Sequence, residues 1–220
     1  MEAPPFPVTH ELDGWDLLWV LLEAAPGQEE ALAALRRSAG ERARARFDPD
    51  SLSSHPTVAA IRGLFRAAGC DPTRYRPSSE ALLRRLLKDD ELPAIHPFVD
   101  LNNVLSVDLA VPCCIMAEGS ITPPVALRAG RGGESYESLR GPFNLEGRPL
   151  LADAEGPFGT PITDSQRVKV TEGVERAWIV AYLPAGVVRA EEARRVLDDL
   201  LAQAPVAWVT AAGVSTGGRP

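Results

Sequence analysis

The sequence changes character at Pro112, and this change restricts the fold more than any other feature. Before Pro112, apolar residues recur every three or four positions, as Val58, Ile61, Leu64 and Phe65 do, which is typical of amphipathic helices. After it, short apolar stretches are separated by Gly- and Pro-rich turns, a spacing that favours antiparallel strands. Helices followed by strands predict an α+β fold rather than a doubly wound parallel sheet.

The two ends of the chain are expected to differ from the middle. Residues 15–23, WDLLWVLLE, are an apolar run of strand length that Pro26 and Gly27 end, and residues 28–47 are predicted to be helical. Near the C-terminus we expect a helix over 190–204, a short strand over 206–209 and a disordered tail. The expected units are an N-terminal strand-helix elaboration packed on the core, a main domain and the tail: 1–50, 51–210 and 211–220.

Charge is distributed unevenly along the chain. The 220 residues carry a net charge of −7, which argues against a dedicated nucleic-acid binder because phosphate contact is largely cationic. The segment 35–88, however, holds twelve Lys and Arg against five Asp and Glu, while the rest holds eleven basic and twenty-five acidic residues. This basic segment is either a solvated helix face or a surface that binds a polyanion.

Composition and length exclude several classes of protein. A chain of 220 residues with 45% apolar residues can bury a core without disulfides or a structural metal. Three cysteines, two of them adjacent, and the lack of a basic and apolar leader predict a reduced, cytoplasmic protein. The longest apolar run, 17–22, is too short to span a membrane, so no membrane partner is expected.

Motifs for several chemistries are absent or out of context. No glycine-rich phosphate loop or GxGxxG turn occurs, so no nucleotide cofactor is expected. His10, His55 and His96 lack metal-ligand spacing, and neither a metal nor another cofactor is expected. The GVSTG sequence at 213–217 has the letters of a nucleophile elbow without its strand and helix. Cys114 and His96 are a candidate nucleophilic pair, although a buried cysteine is the commoner arrangement.

Three stretches together resemble one family. They are SSHPTVAAIRGLFRAAGCDPTRYRPSSEALLRRLLK, LPAIHPFVDLNNVLSVDLAVPC, and TDSQRVKVTE following GGESYESL. In this order and spacing, over about 53–183, the chain is similar to free-standing relatives of the tRNA-editing module of bacterial phenylalanyl-tRNA synthetase. That module comprises the third and fourth domains of the synthetase β chain, and the DPTRYRPSSEALLRR and VDLNN segments carry the most specific similarity.

This resemblance implies a fold, an activity and a partner. The implied fold is α+β, with helices packed on an antiparallel β-sandwich-like core, and the module corresponds to residues 51–210. The implied activity is hydrolysis of a mischarged aminoacyl-tRNA ester by a positioned water, without aminoacylation and without a cofactor. The implied partner is tRNA or aminoacyl-tRNA, for which the basic segment offers a candidate surface: Arg74, Arg76, Arg84, Arg85 and Lys88.

The resemblance also assigns candidate site residues. Asn102 and Asn103 occupy the helix position where the family binds substrate, and Pro112 begins the pocket-lining strand. Both asparagines can donate and accept hydrogen bonds, so they are candidates to position the water, unless they cap the helix or satisfy buried backbone. Cys114 stands where the synthetase has a histidine, and Val180 where it recognises the tyrosine hydroxyl with a carboxylate. Because an apolar lining does not select a hydroxyl, either the pocket takes a less polar amino acid or hydrolysis has lapsed.

The segment DSQRVKVT at 164–171 is a feature of the free-standing members. Asp164 and Ser165 are expected to cap or orient neighbouring groups. Arg167 and Lys169 share one side of a strand if residues alternate there. Two cations on one face are candidates for contact with a carboxylate or phosphate, or they protect an edge strand.

Three functions are therefore open. The first is a free-standing deacylase that acts on mischarged tRNA in trans. The second is a non-catalytic RNA- or tRNA-binding module, and the third is a binder of an amino-acid-like small molecule that uses the same pocket. Deacylation assays, the salt dependence of tRNA binding, and a pocket ligand without tRNA affinity would distinguish them.

Overall fold

The structure is a computed structural model that describes residue 4 and residues 6–27 and 29–217. Its α-helices in these ranges are α1 (Glu29–Arg46), α2 (Pro56–Ala67), α3 (Ser78–Leu86), α4 (Pro97–Leu109) and α5 (Ala190–Gln203). Its strands are β1 (Val8–His10), β2 (Trp15–Ala24), β3 (Cys113–Ala117), β4 (Val125–Ala129), β5 (Ser135–Ser138), β6 (Gly141–Asn144), β7 (Pro149–Asp153), β8 (Gly156–Gly159), β9 (Arg176–Pro184) and β10 (Ala207–Thr216). None of the helices in the described ranges is both long and apolar enough to cross a membrane.

The central sheet, sheet A, has the antiparallel strand order β10-β2-β9-β3. The apolar run that predicted a strand is β2, which lies between β10 and β9. Its residues from Trp15 to Leu22 are buried except Asp16, because layers cover both faces of this inner strand. The first 50 residues therefore contribute an inner strand, β2, to the core sheet and a helix, α1, to the layer that covers it.

A second sheet, sheet B, packs on one face of sheet A in the order β1-β4-β7-β8. Its β1–β4 pair is parallel and the other pairs are antiparallel. The core between the sheets is rich in aromatic side chains, including Trp15, Trp19, Phe158 and Tyr182, each at most 1% exposed. These two facing sheets form the predicted sandwich-like core, and β5 and β6 form a separate hairpin beside it.

Helices cover the other face of sheet A, where α1, α3, α4 and α5 share one apolar core with it. Asp100 fixes the first turn of α4 because its buried carboxylate pairs with Arg36 of α1 and accepts the backbone N–H of Ile95 at 2.9 Å. The aspartate of the VDLNN segment is therefore a structural residue. It holds α4 against α1 and so sets the position of the two asparagines that follow it.

The C-terminal strand corrects the prediction of a disordered tail over 211–220. Residues 211–216 belong to β10 and pair with β2, and the indole of Trp19 donates to Ser215 Oγ at 3.1 Å within the core. Apolar and polar residues do not alternate regularly in AWVTAAGVST. Its strand conformation therefore depends on pairing with residues near the other end of the chain. Residues 218–220 lie outside the described ranges.

Candidate functional site

The candidate site lies at the open edge of β3, the outermost strand of sheet A in the described residues. The carbonyl of Pro112 accepts the N–H of Tyr182 at 2.9 Å, so the backbone groups of Pro112 face β9. Backbone groups of successive residues in an antiparallel pair face opposite sides. The carbonyl of Cys113 and the N–H of Ile115 therefore point to the open edge, on either side of Cys114.

Asn102 reaches this edge from α4. Its Nδ2 donates to the carbonyl of Cys113 at 3.2 Å, and the residue is only 5% exposed. Its Oδ1 is buried and has no hydrogen-bond partner among the described residues. Asn102 therefore satisfies a buried backbone carbonyl, which was one of the roles predicted for it. Its second polar atom, Oδ1, is unpaired.

Asp164 reaches β3 from the loop between β8 and β9. Its carboxyl lies beside Cys114, the residue between the two edge-facing groups, in the core between the sheets. Its Oδ1 is buried and, like Asn102 Oδ1, has no hydrogen-bond partner among the described residues. Two side chains from different layers thus contact β3: Asn102 at the carbonyl of Cys113, and Asp164 beside the thiol of Cys114.

Gly159 leaves room for a polar cluster beside this edge. A Cβ atom at position 159 would lie 3.2 Å from Asp164 Oδ1, 3.8 Å from Tyr182 Oη and 4.0 Å from Cys114 Sγ. The carboxyl, phenol and thiol therefore surround one point in the core between the sheets. The thiol also donates to Thr160 O at 3.3 Å.

The loop that carries Asp164 is held by its own hydrogen bonds. Thr160 Oγ1 accepts the backbone N–H of Ile162 at 3.2 Å and of Thr163 at 3.0 Å. The phenol of Tyr136 donates to the carbonyl of Thr163 at 2.6 Å. These hydrogen bonds hold the loop in one conformation. They therefore fix the position of the Asp164 carboxyl that the loop carries.

Burial controls the ionisation of this cluster. It raises the pKa of Asp164 to about 7, against a smaller lowering by the nearby Cys114 thiol and backbone N–H groups. Burial also raises the pKa of Cys114 and of Tyr182 well above their usual ranges, and the charge of Asp164 acts in the same direction on both. At neutral pH, Asp164 is therefore the member of the cluster that titrates.

The nucleophilic pair of Cys114 and His96 is not formed. His96 is the N-cap of α4, where its Nδ1 accepts the N–H of Phe98 at 3.2 Å, whereas the thiol bonds to the loop that carries Asp164. A buried thiol with a raised pKa is a poor nucleophile. Cys114 therefore contributes a buried thiol to the cluster and does not act as a nucleophile.

The predicted substrate-pocket residues approach β3 from two sides. Cys114 and Val180 are register partners on β3 and β9, and both side chains belong to the core between the sheets. Asn102 comes from the helix layer, where the neighbouring Asn103 is half-buried. Pro112 is buried just before β3 and contributes a backbone carbonyl. The convergence of all five on one cavity stays a prediction.

Arg167 and Lys169 do not share the face of a strand, so this prediction is wrong. Ser165 Oγ accepts the N–H of Arg167 and begins a short 3-10 helix, Gln166–Val168, which ends the extended backbone. The Arg167 guanidinium binds both oxygens of Asp153, at 2.9 and 3.1 Å. Arg167 is thus neutralised within the protein, and Lys169 is exposed. The expectation that Ser165 caps a neighbouring segment is confirmed.

The basic candidates for a tRNA surface divide into two groups. Arg76 and Arg84 form ion pairs with Glu80, a carboxylate only 1% exposed, which Arg62 also binds at 2.9 Å. These arginines serve the packing of α2 and α3.

The other three, Arg74, Arg85 and Lys88, are exposed and form no ion pair in the part of the chain that the structure describes. Arg85 and Arg37 line a cleft of about 330 Å³ beside α1 and α3. The cations available to a polyanion are therefore fewer than the sequence total suggests.

The fold and the site together define a small α+β domain in which helices cover one face of a two-sheet core and a carboxyl and an amide meet at one outer strand. Residues 60–198 match the B3/4 domain, and the chain belongs to this family. This finding confirms the family resemblance carried by the three sequence stretches.

Comparisons with whole proteins add less. No curated protein matches the chain significantly. Among solved structures, the chain is similar to an N-terminal fragment of the phenylalanyl-tRNA synthetase β subunit from Pyrococcus horikoshii, with 16% sequence identity and a TM-score of 0.44. The match covers 97% of this chain and 51% of that chain, so this protein spans about half the length of the fragment.

Proposed function

We propose that this chain binds tRNA and hydrolyses the ester of a mischarged aminoacyl-tRNA in trans. Membership of the B3/4 family supports an editing-type domain. The observation that carries the proposal is the position of Asp164, a carboxyl that titrates near neutral pH, beside Cys114 of β3, the strand whose Cys113 carbonyl Asn102 binds. A fixed amide and a general base together are what a hydrolysis by positioned water requires.

In the proposed reaction, Asp164 takes a proton from a water molecule while the water oxygen attacks the carbonyl carbon of the ester. The bond between that carbon and the ribose oxygen breaks, and the proton passes to the ribose oxygen. A base whose pKa lies near the working pH is effective in this role. Asn102 and the half-buried Asn103 would hold the water and the acyl group, which limits the motion lost on reaching the transition state.

The predicted lining favours an apolar amino acid. Val180 is buried on the strand beside β3 and offers no hydrogen bond to a side-chain hydroxyl. A site without such a partner does not select a hydroxylated side chain over its apolar counterpart. We therefore propose an ester of an apolar amino acid as the preferred substrate, with tyrosine disfavoured.

The test is deacylation of a panel of purified aminoacyl-tRNAs by the full chain and by Asp164→Asn. We expect kcat/KM for at least one apolar aminoacyl-tRNA to rise with pH and level off above about 7, since the free enzyme's base must be ionised. D164N should lose this rise, whereas Asp198→Asn, which changes an exposed carboxylate on α5, should keep it. A rate equal to that of buffer for every amino acid would exclude hydrolysis.

A non-catalytic tRNA-binding module is the second candidate, because complete burial of Cys114 and Tyr182 is also what a closed, inactive pocket would show. This function predicts salt-dependent tRNA binding without deacylation. The double variant R85A/K88A should weaken binding and reduce its salt dependence, whereas Arg194→Ala on α5 should not. A small molecule bound in place of tRNA would be insensitive to both changes.

A further inference from the structure

A cleft between α1, α3 and the segment 91–94 is lined by more positive than negative side chains. Three arginines line it, Arg36 and Arg37 of α1 and Arg85 of α3, against one carboxylate, that of Glu91. Its volume of about 330 Å³ is within the range of small-molecule sites. The cleft is separate from the β3 site, since its lining includes neither β3 nor the loop that carries Asp164.

The spacing of residues on α1 leaves this cleft open. Ala33, Arg36 and Arg37 are three and four positions apart, so they lie on one side of the helix. The alanine side chain is short and leaves room beside the two arginines. Arg37 is exposed and forms no ion pair with the other described residues.

Two of the guanidinium groups are each anchored by one nitrogen. Arg36 Nη1 pairs with the buried carboxylate of Asp100, and Arg85 Nε donates to the carbonyl of Glu91 at 3.0 Å. Their other nitrogens have no hydrogen-bond partner among the described residues. Donors that are held in place beforehand lose less conformational freedom when a ligand binds.

We propose that this cleft binds one phosphate group, from an RNA backbone or from a free phosphate ester. Guanidinium groups match phosphate oxygens in geometry and in charge. Glu91 and Asp100 neutralise two of the three arginines, which leaves one positive charge for a phosphodiester to balance. The RNA source rests on the proposed function, in which tRNA is the partner, whereas the free ester does not.

The contact should not depend on nucleotide sequence. None of the described residues that line the cleft is aromatic, so the cleft offers no ring on which a base could stack. Phosphate contacts position an RNA without reading its bases. Bulk deacylated tRNA is therefore a suitable probe, and its binding does not depend on hydrolysis.

The test compares tRNA binding by the full chain and by the double variant R37A/R85A over a range of salt concentrations. We expect the variant to bind at least about tenfold more weakly at low salt. The slope of log Kd against log salt should fall by about 1, as for the loss of one phosphate contact. R37K/R85K should keep the slope and still bind more weakly, because lysine keeps the charge without the two-pronged donor geometry. Arg36 is left unchanged, since Asp100 would lose its partner.

The matched control is R189A/R195A, which also removes two exposed positive charges, at the N-cap of α5 and within that helix. Arg195 Nε donates to the carbonyl of Glu191, as Arg85 Nε does to the carbonyl of Glu91. This variant therefore loses the same kind of anchored arginine from a surface outside the cleft. It should bind tRNA as the unchanged protein does.

Titration of glycerol 3-phosphate, followed by NMR, identifies the source of the phosphate, with acetate as the carboxylate control. Weaker tRNA binding in R37A/R85A alone assigns the phosphate to RNA. Binding of glycerol 3-phosphate that R37A/R85A abolishes, with unchanged tRNA affinity, assigns it to a free ester. Absence of both effects, equal weakening by the two alanine double variants, or acetate binding as tight as that of glycerol 3-phosphate would overturn the phosphate site.

These outcomes are separate from the test of the proposed function. If the cleft fails, deacylation of the aminoacyl-tRNA panel by the unchanged protein would still support hydrolysis. Conversely, loss of phosphate binding confined to R37A/R85A would support the cleft even if no aminoacyl-tRNA is hydrolysed.

Discussion

Cys114 Sγ lies 3.7 Å from Tyr182 Oη, between the neighbouring strands β3 and β9, and both side chains are fully buried against Asp164. Three ionisable groups thus meet in the core between the sheets. Burial disfavours the charged form of each, and the group with the lowest intrinsic pKa, the carboxyl, is the one that still ionises near neutral pH. The cluster consequently links the stability of the fold to the chemistry of the site.

We expect the protein to lose stability as the pH rises from about 4 to about 7. The folded Asp164 has a pKa of about 7, above its reference value of 3.8, so the folded state binds more protons than the unfolded state in this window. The contribution of this residue to the unfolding free energy should fall by about 1.4 kcal/mol per pH unit there and level off above pH 7.

Urea unfolding at several pH values, with Asp164→Asn beside the unchanged protein, measures this contribution. D164N keeps a neutral side chain of the same shape, so it should flatten the slope and be the more stable protein at pH 8. Asp198→Asn on the exposed face of α5 should leave the slope unchanged. An equal slope in D164N would show that another group causes the pH dependence.

Glycines 159 and 63 should respond to alanine in opposite directions. A Cβ at position 159 would lie 3.2 Å from Asp164 Oδ1, closer than ordinary van der Waals contact, so G159A should destabilise the fold by about 1 to 2 kcal/mol. Gly63 lies exposed within α2 with nothing within 4 Å of such an atom, so G63A should stabilise by about 0.5 to 1 kcal/mol. Thermal unfolding compares the two variants. Destabilisation by both would show that the effect at position 159 does not come from its close contact with Asp164.

The buried carboxylate of Glu80 should be essential for stability. It pairs with Arg62 and Arg84 at 2.9 Å, and Glu80→Gln would leave the guanidinium of Arg62, which is 13% exposed, without its counter-ion. Breaking a buried pair in this way typically costs about 3 to 5 kcal/mol. The exposed pair Arg194–Asp198 provides the comparison, since D198N should cost no more than about 1 kcal/mol in the same denaturant titration. Equal costs for the two substitutions would contradict a structural role for Glu80.

Patterns that depend on neighbours in sequence predicted much of the fold. The run 15–23 gave β2 to within one residue, and the spacing of Val58, Ile61 and Phe65 gave α2. These elements were predictable because burial of a strand on both faces, or of a helix on one, leaves its period in the sequence. β10 left no such period, since much of its stability comes from long-range pairing with β2.

The candidate site was less predictable for the same reason. The family resemblance pointed to Asn102, whose place on α4 follows from the local VDLNN sequence. Asp164 was expected only to cap or orient neighbouring groups, because nothing near it in sequence shows that its loop places the carboxyl beside Cys114 and Tyr182. Gly159 and Tyr182 likewise gain their roles only when sheet B packs on sheet A.

The C-terminal strand offers the sharpest test of the fold, in two adjacent substitutions. Ser215 is buried and its Oγ accepts the indole N–H of Trp19, whereas the next residue, Thr216, is exposed. Ser215→Ala leaves a buried donor without a partner, so it should lower the unfolding free energy by about 1 to 2 kcal/mol. Thr216→Ala should change it by less than about 0.5 kcal/mol. Chemical denaturation followed by tryptophan fluorescence distinguishes the two, and a neutral result for S215A would contradict a stabilising hydrogen bond between Trp19 and Ser215.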